Sequence, residues 1–370
     1  MGRQNTAVNA TGWHAVIKRW RRNNRGRLNR LLTRLLGTAA PRRRALAPDT
    51  RRILVVRLNK RLGNILFLTP LLRTLAASLP TASIDVLIQD VKQKALLESL
   101  PGVGRVWVQE KTLTKLFGLA RQLRRQHYDL AIDPSGNSTS NRLAMVLSGA
   151  RQRMGFAGDT QWLRLSHAAP RPRSRHQAEQ AVELFAESVD TLALECFDTL
   201  AVFPAAAAQA QARQHWDAAF GDADVRRPVI GFFAHATGNK QLPAAWWDDW
   251  CRALATRLPG ATLVQIRPPG QPANLLEDTV GVSIAELDVL AALMTRMDVF
   301  VAADSGPMHL AAAAGIPVVG LFQSTDPAAY APLGRGCISL SGDTLTGTQA
   351  ALAVARIAAS AQRGDTAREG

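Results

Sequence analysis

Two stretches of the chain put polar side chains directly after an apolar run, and both suit a phosphate-bearing ligand. In DVFVAADSGPMHLAAAAGIPVVGLF (298–322) a strand-like run ends on Asp304, Ser305, Gly306 and Pro307, and His309 opens an alanine-rich helix. Pro307 fits the first helical turn, where its missing N–H costs nothing. Gly306 leaves the backbone open to close approach, and the first amides of such a helix hold a phosphate against the positive end of its dipole. Each charge gains about 0.3–1 kcal/mol there. His309 stands four residues after Ser305 and can face the same ligand. The plainer alternative has Asp304 and Ser305 as helix caps and His309 as packing. In GFFAHATGNKQLP (231–243), His235, Thr237 and Lys240 sit on a glycine-containing loop after another apolar run. A hydroxyl and an ammonium there suit the same diphosphate. Trp246, Trp247 and Trp250, which follow, read as core and domain-interface packing.

The absences narrow the chemistry. There is no Gly-x-Gly-x-x-Gly and no Gly-Lys-Ser/Thr loop, which argues against a dehydrogenase or a P-loop NTPase. Neither Tyr128 nor Tyr330 has a lysine four residues on, against a nucleotide-sugar epimerase. Cys196, Cys251 and Cys337 lack metal-type spacing and read as buried thiols of a reducing cytosol. No ligand cluster calls for a metal, and no cofactor is expected.

The elements that must position these residues come in two series. ILVVRL (53–58), IDVLI (84–88), RVWV (105–108) and DLAID (129–133) read as strands, with helix-like segments near 64–79, 91–99, 112–126 and 138–148. A basic, irregular stretch (164–175) and a helical connector, FPAAAAQAQARQHW, interrupt the alternation. It restarts at RPVIGFF (227–233), with ATLVQI (261–266), DVFVA (298–302) and VVGLF (318–322). This is α/β architecture in two Rossmann-like, doubly wound domains facing a cleft. The boundary falls within 205–226, giving units at 51–205 and 206–370 after an arm at 1–50. Ligands of such sheets sit at the carboxyl ends of the strands, where the polar residues are.

The arm carries most of the charge. Residues 1–52 hold 14 Lys/Arg and one acid, a net of +13, while the whole chain is +16. Trp13, Val16, Ile17, Trp20, Leu28, Leu31, Leu32 and Leu35 recur at helical steps among arginines. A basic amphipathic helix over 13–36 suits an anionic membrane surface, at about 1 kcal/mol per nearby cation. Nucleic acid is the rival, but the body has no zinc-finger or RNP-like motif; a solvated tail is the bland alternative, and the membrane is the preferred reading. No run is long enough to span a bilayer and no secretory h-region opens the chain. The start also matches a loose Met-Gly-x-x-x-Thr myristoylation pattern.

In order and spacing, ILVVRLNKRLGN…LTPLLRTL, YDLAIDPSGNSTS with RMGF, HATGNK and DVFVAADSGPMHLAAAAGIPVVGLF resemble glycosyltransferase family 9, whose best-known members are ADP-heptose:lipopolysaccharide heptosyltransferases. The resemblance covers about Arg51 to Ser341. It implies a GT-B fold, an acceptor-binding first domain, a nucleotide-sugar-binding second domain, and transfer with inversion and without metal. On this likeness Asp304, Ser305, Gly306 and His309 match the donor-phosphate segment, and Thr237 and Lys240 its partner loop. The donor would be a nucleotide-sugar such as ADP-heptose, the acceptor an acidic glycolipid, and the location the cytoplasmic side of the inner membrane. Two departures stand out. The family places an Asp after the first-loop glycine, where it is thought to deprotonate the acceptor; here Asn64 occupies it, and a carboxamide can orient a hydroxyl but not take its proton. Leu242 also replaces a usual Trp. Asp133 is the nearest strand-end carboxylate to serve as base, or it is an ordinary turn residue. Arg57, Lys60 and Arg61 would suit an acidic acceptor. A nucleotide-sugar-binding protein without turnover is the second reading.

Overall fold

The computed structural model describes residues 37–366, apart from 111–112, 137, 160, 191–192, 222–224, 272–273 and 277–278. Of 113–114 and 361–366 only the backbone is described. The arm segment 13–36, to which the sequence assigns the membrane contact, lies outside the described residues.

The first sheet is built from β1 (Arg52–Arg57), β2 (Ser83–Ile88), β3 (Val103–Val108), β4 (Leu130–Ile132), β5 (Gln152–Phe156) and β6 (His167–Ala169). Their order is β3-β2-β1-β4-β5-β6, all parallel. The second sheet contains β7 (Val229–Phe233), β8 (Thr262–Ile266), β9 (Val280–Val282), β10 (Val299–Ala303), β11 (Val318–Phe322) and β12 (Ile338–Ser341). Its order, β12-β11-β10-β7-β8-β9, is the same doubly wound topology, again parallel throughout. Helices cover both faces, so the central strands are apolar without alternation: all five residues of β10 and the last five of β1 are buried. The expected α/β architecture is present.

In each sheet the strand order reverses once, between β1 and β4 and between β7 and β10. Ligands of open parallel sheets bind at such a reversal, outside the strand carboxyl ends. Arg57 and Asp133 follow the first reversal; His235 to Lys240 and Asp304 follow the second. Trp247 and Trp250 are fully buried against Phe232 within the second domain, so their packing is core and not interface.

An extended segment joins the halves and is bonded to both. Ala201 N donates to Thr69 Oγ1 and Phe203 N to Ser99 Oγ in the first domain. Leu200 N donates to Leu333 O and Val202 N to Ala313 O in the second. The expected connector helix, Ala206–Phe220, packs on helix Leu287–Met294 of the second domain.

Residues 38–50, counted with the arm in the sequence, are knit into the first domain. Arg42 bridges Ala168 of β6 and Arg44 bridges Val189. Thr38 is buried; its hydroxyl donates to Leu163 O at 3.2 Å and accepts from Leu165 N at 2.8 Å. Thr38→Val keeps the volume and removes both bonds. It should cost about 1–3 kcal/mol, read from the urea midpoint; an unchanged midpoint would show that Thr38 does not fasten this segment.

Candidate functional site

Asp304 is 6% exposed at the end of β10. Its Oδ2 accepts from Lys240 Nζ at 2.5 Å and from Thr325 Oγ1 at 2.8 Å, and its Oδ1 faces His309 Nε2 at 3.6 Å. Burial opposes the charge, but His309, Lys240 and Thr325 outweigh it and hold the carboxyl at about 2. Asp304 is therefore not a helix cap. Neither is Ser305: it occupies the N-cap of helix Gly306–Ala313 without a side-chain cap bond, and its hydroxyl oxygen is buried without a partner. The helix thus begins with a free hydroxyl, and its first-turn amides at Gly306 and Met308 have no intrahelical acceptor, Pro307 having no N–H. Thr237 is exposed at the N-cap of the short turn Gly238–Lys240, across from Asp304 through Lys240. His235 is half-buried beside Phe233; burial lowers its pKa and its Nε2 has no partner. Leu242 is buried in the second-domain core.

His309 lies deeper than the sequence suggested. It is 3% exposed, sealed by the first domain, and burial lowers its pKa so that the ring is neutral at pH 7. A Cβ at Gly63 would stand 2.7 Å from its Cδ2, and a Cβ at Gly306 would stand 3.0 Å from Leu62 Cβ. The two domains thus touch through a pair of glycines. Phe67 adds edge contacts to His309 and His176, with Tyr330 stacked at 6.3 Å. Arg175 pairs with Asp326 across the same joint.

On the first-domain side, Asn64 is half-buried in helix Leu62–Leu66, one residue from the Gly63–His309 contact. Lys60 and Arg61 are exposed just before it. Arg57 is buried, with its pKa lowered by burial and partly restored by Asp133. Asp133 is 2% exposed. Its Oδ1 accepts from Ser135 N, Ser135 Oγ and Asn141 Nδ2 at 3.0, 2.6 and 2.8 Å. Asn141 also reaches Val56 O and accepts from Leu58 N, so Asp133 braces the loops after β1 and β4. Beyond it a cavity of about 350 Å³ opens at the carboxyl ends of β4, β5 and β6. Ser135, Arg142, Phe156, Gly158, Gln161 and Arg171 line it.

The family model for glycosyltransferase family 9 (heptosyltransferase) matches residues 116–349. The chain belongs to glycosyltransferase family 9. It is a glycosyltransferase, and its sequence is 25% identical over 313 residues to lipopolysaccharide heptosyltransferase 1 of Pseudomonas aeruginosa, covering 79% of this chain and 84% of that one. Its fold matches two solved enzymes of E. coli. ADP-heptose lps heptosyltransferase II superposes with a TM-score of 0.65 at 19% identity, covering 84% of this chain and 99% of that one. Heptosyltransferase WaaC, solved with ADP, gives 0.63 at 18%, covering 82% and 98%.

Within this family 9 glycosyltransferase the structure brings Lys240, Asp304, Ser305, Gly306 and His309 together, with Thr237 on the same loop as Lys240. Gly63 and Asn64 stand directly across. Sequence reasoning missed Thr325, Phe67 and the cavity around Arg142 and Arg171; each comes from a different segment, and no local pattern marks it. Because the Asp304 carboxyl sits below its unfolded value of 3.8, its stabilisation is complete above about pH 4 and lost as pH falls towards 2. Asp304→Asn should cost about 2 kcal/mol at pH 7 and flatten the decline of stability between pH 4 and 2. Parallel acid profiles of the two proteins in urea titrations would exclude this role.

Proposed function

We propose that this glycosyltransferase moves heptose from ADP-heptose to an acidic lipopolysaccharide-core acceptor at the cytoplasmic face of the inner membrane. Transfer proceeds with inversion and needs no metal ion. The observation that carries the donor side is the start of helix Gly306–Ala313: a buried hydroxyl with no partner at an N-cap without a side-chain bond, and Lys240 within reach. Such a terminus suits a diphosphate. As the bond from the anomeric carbon to the diphosphate breaks, its electron pair leaves with the phosphate oxygen, and these donors stabilise the growing charge. Lys240 would turn from Asp304 to the leaving phosphate, while Thr325 and His309 continue to hold the carboxylate.

The acceptor side is supported by the exposed cations Lys60 and Arg61, by Arg57 behind them, and by the cavity beyond Asp133. The acceptor hydroxyl attacks the sugar from the face opposite the diphosphate, next to Asn64, which orients it by hydrogen bonding. Its proton passes to solvent water, since Asn64 cannot accept it, and transfer without a side-chain base is slow. The three donors already bound to Asp133 Oδ1 favour a bracing role for that carboxylate over the base.

The test is transfer from ADP-heptose to a deacylated lipopolysaccharide-core acceptor. Lys240→Ala should weaken ADP binding at least about tenfold, the scale of one charge-assisted bond, and EDTA should leave the rate unchanged. Asn64→Asp should raise the rate by about 10²-fold, within the usual worth of a general base. A 10²–10⁴-fold loss in Asp133→Asn with the fold intact, and no gain in Asn64→Asp, would instead make Asp133 the base. No transfer by any form, with ADP still bound, would refute the proposed reaction.

A further inference from the structure

Helix Leu113–Arg125 presents an unusual outer stripe. Phe117 is 74% exposed, and Arg121 and Arg124 follow it at four and seven residues, on the same side of the helix. Arg124 Nε donates to Leu147 O at 3.1 Å, tying this helix to Thr139–Leu147. Between the two helices runs a groove of about 540 Å³ lined by Phe117, Ala120, Arg121, Arg124, Arg125 and Leu147. One turn before Leu147, Leu143 is 46% exposed, which continues the apolar strip. Among the described residues Arg121, Arg124 and Arg125 have no acidic partner; Lys115 pairs with Glu110 at the far end of the helix.

We propose that this face of the first domain lies on an anionic lipid bilayer, with Phe117 and Leu143 entering the headgroup boundary and the three arginines meeting lipid phosphates. The chemistry is that of an interfacial helix: an apolar ring flanked by cations whose stems lie along apolar surface while their heads reach anions. Two further observations select the membrane. The first is charge complementarity, since the stripe is basic throughout and an anionic surface attracts each cation. The second is where the basic arm is rooted. Thr38 bonds to Leu163 and Leu165, which belong to the same core as Leu123 and Met145 beneath these two helices. The described chain therefore starts on this same side of the sheet, and the sequence before it holds nine Lys/Arg and no acid. Arg142 of helix Thr139–Leu147, on this face, also lines the cavity that contains Gly158, which would put a membrane-embedded acceptor within reach of the cleft. This extends the membrane reading proposed above to the folded domain, and it requires no contribution from the arm.

The experiment is co-sedimentation of the full chain with vesicles of phosphatidylglycerol and phosphatidylethanolamine, and with vesicles of phosphatidylcholine alone. Phe117→Asp and the pair Arg121→Glu, Arg124→Glu should each lower partition to the anionic vesicles at least about tenfold, while Phe117→Trp retains it. ADP affinity and turnover of a water-soluble acceptor should stay at the wild-type level in all of them. That last readout separates this proposal from the proposed reaction, whose failure would appear as no turnover in any form. Unchanged vesicle binding in Phe117→Asp would overturn the proposal and leave the arm as the only membrane contact. Equal binding of the wild type to neutral vesicles would overturn it as well. So would a concentration-dependent dimer abolished by Phe117→Asp without any effect on lipid, because the face would then meet a second copy.

Discussion

The proposed donor side of this glycosyltransferase is organised by one buried carboxylate. Asp304 holds Lys240 and Thr325 on one oxygen and faces His309 with the other, so residues more than sixty positions apart converge on a single negative charge. Its own burial works against ionisation, and the bonds it accepts more than offset that cost. Because the carboxylate takes up Lys240, nothing caps the following helix from the side-chain direction. The Ser305 hydroxyl has no partner, and in the proposed reaction it and the first amides would meet the diphosphate.

The same carboxylate connects the loop that carries Lys240 to the other domain. His309, turned to Asp304, is the surface on which Gly63 rests, and any side chain at position 63 would collide with the ring. Asn64, the position from which the acceptor hydroxyl is oriented in the proposed reaction, follows at once. The two proposed half-sites thus meet through contact between backbone and imidazole, with Phe67 and Tyr330 packed around it. Proximity of this kind is among the largest contributions an enzyme can make to a two-substrate reaction.

Much of this was legible in the sequence, and the gaps have physical causes. β1, β2, β7, β10 and β11 are buried on both faces, so their continuous apolar runs stand out. β6 is only His167–Ala169 inside a basic stretch, and β9 and β12 are short edge strands with partly exposed residues; none carries enough apolar signal to be read. In the site, Asp304, Ser305, Gly306 and Lys240 were readable because strand-end polar residues have few structural reasons to cluster there. The depth of His309 was not, since it depends on a glycine 246 positions away. Asp133 was visible as a strand-end carboxylate, but its bonds to Ser135 and Asn141 required the fold. The last residues of the expected arm proved to be part of the first domain, because an isolated Thr38 in a polar segment gives no hint of the two bonds its hydroxyl makes.

The Lys240–Asp304 pair also bears on selectivity in a cell that holds inorganic phosphate and many small anions. A lysine already neutralised by a carboxylate is a poor trap for a stray anion, which would have to displace Asp304 with few contacts to offer in return. A ligand that also engages the helix amides and the Ser305 hydroxyl brings enough to make the exchange. In the proposed reaction the site would thus be quiet towards common ions and responsive to a larger partner, a form of discrimination built on an unfavourable step that only the right ligand can overcome.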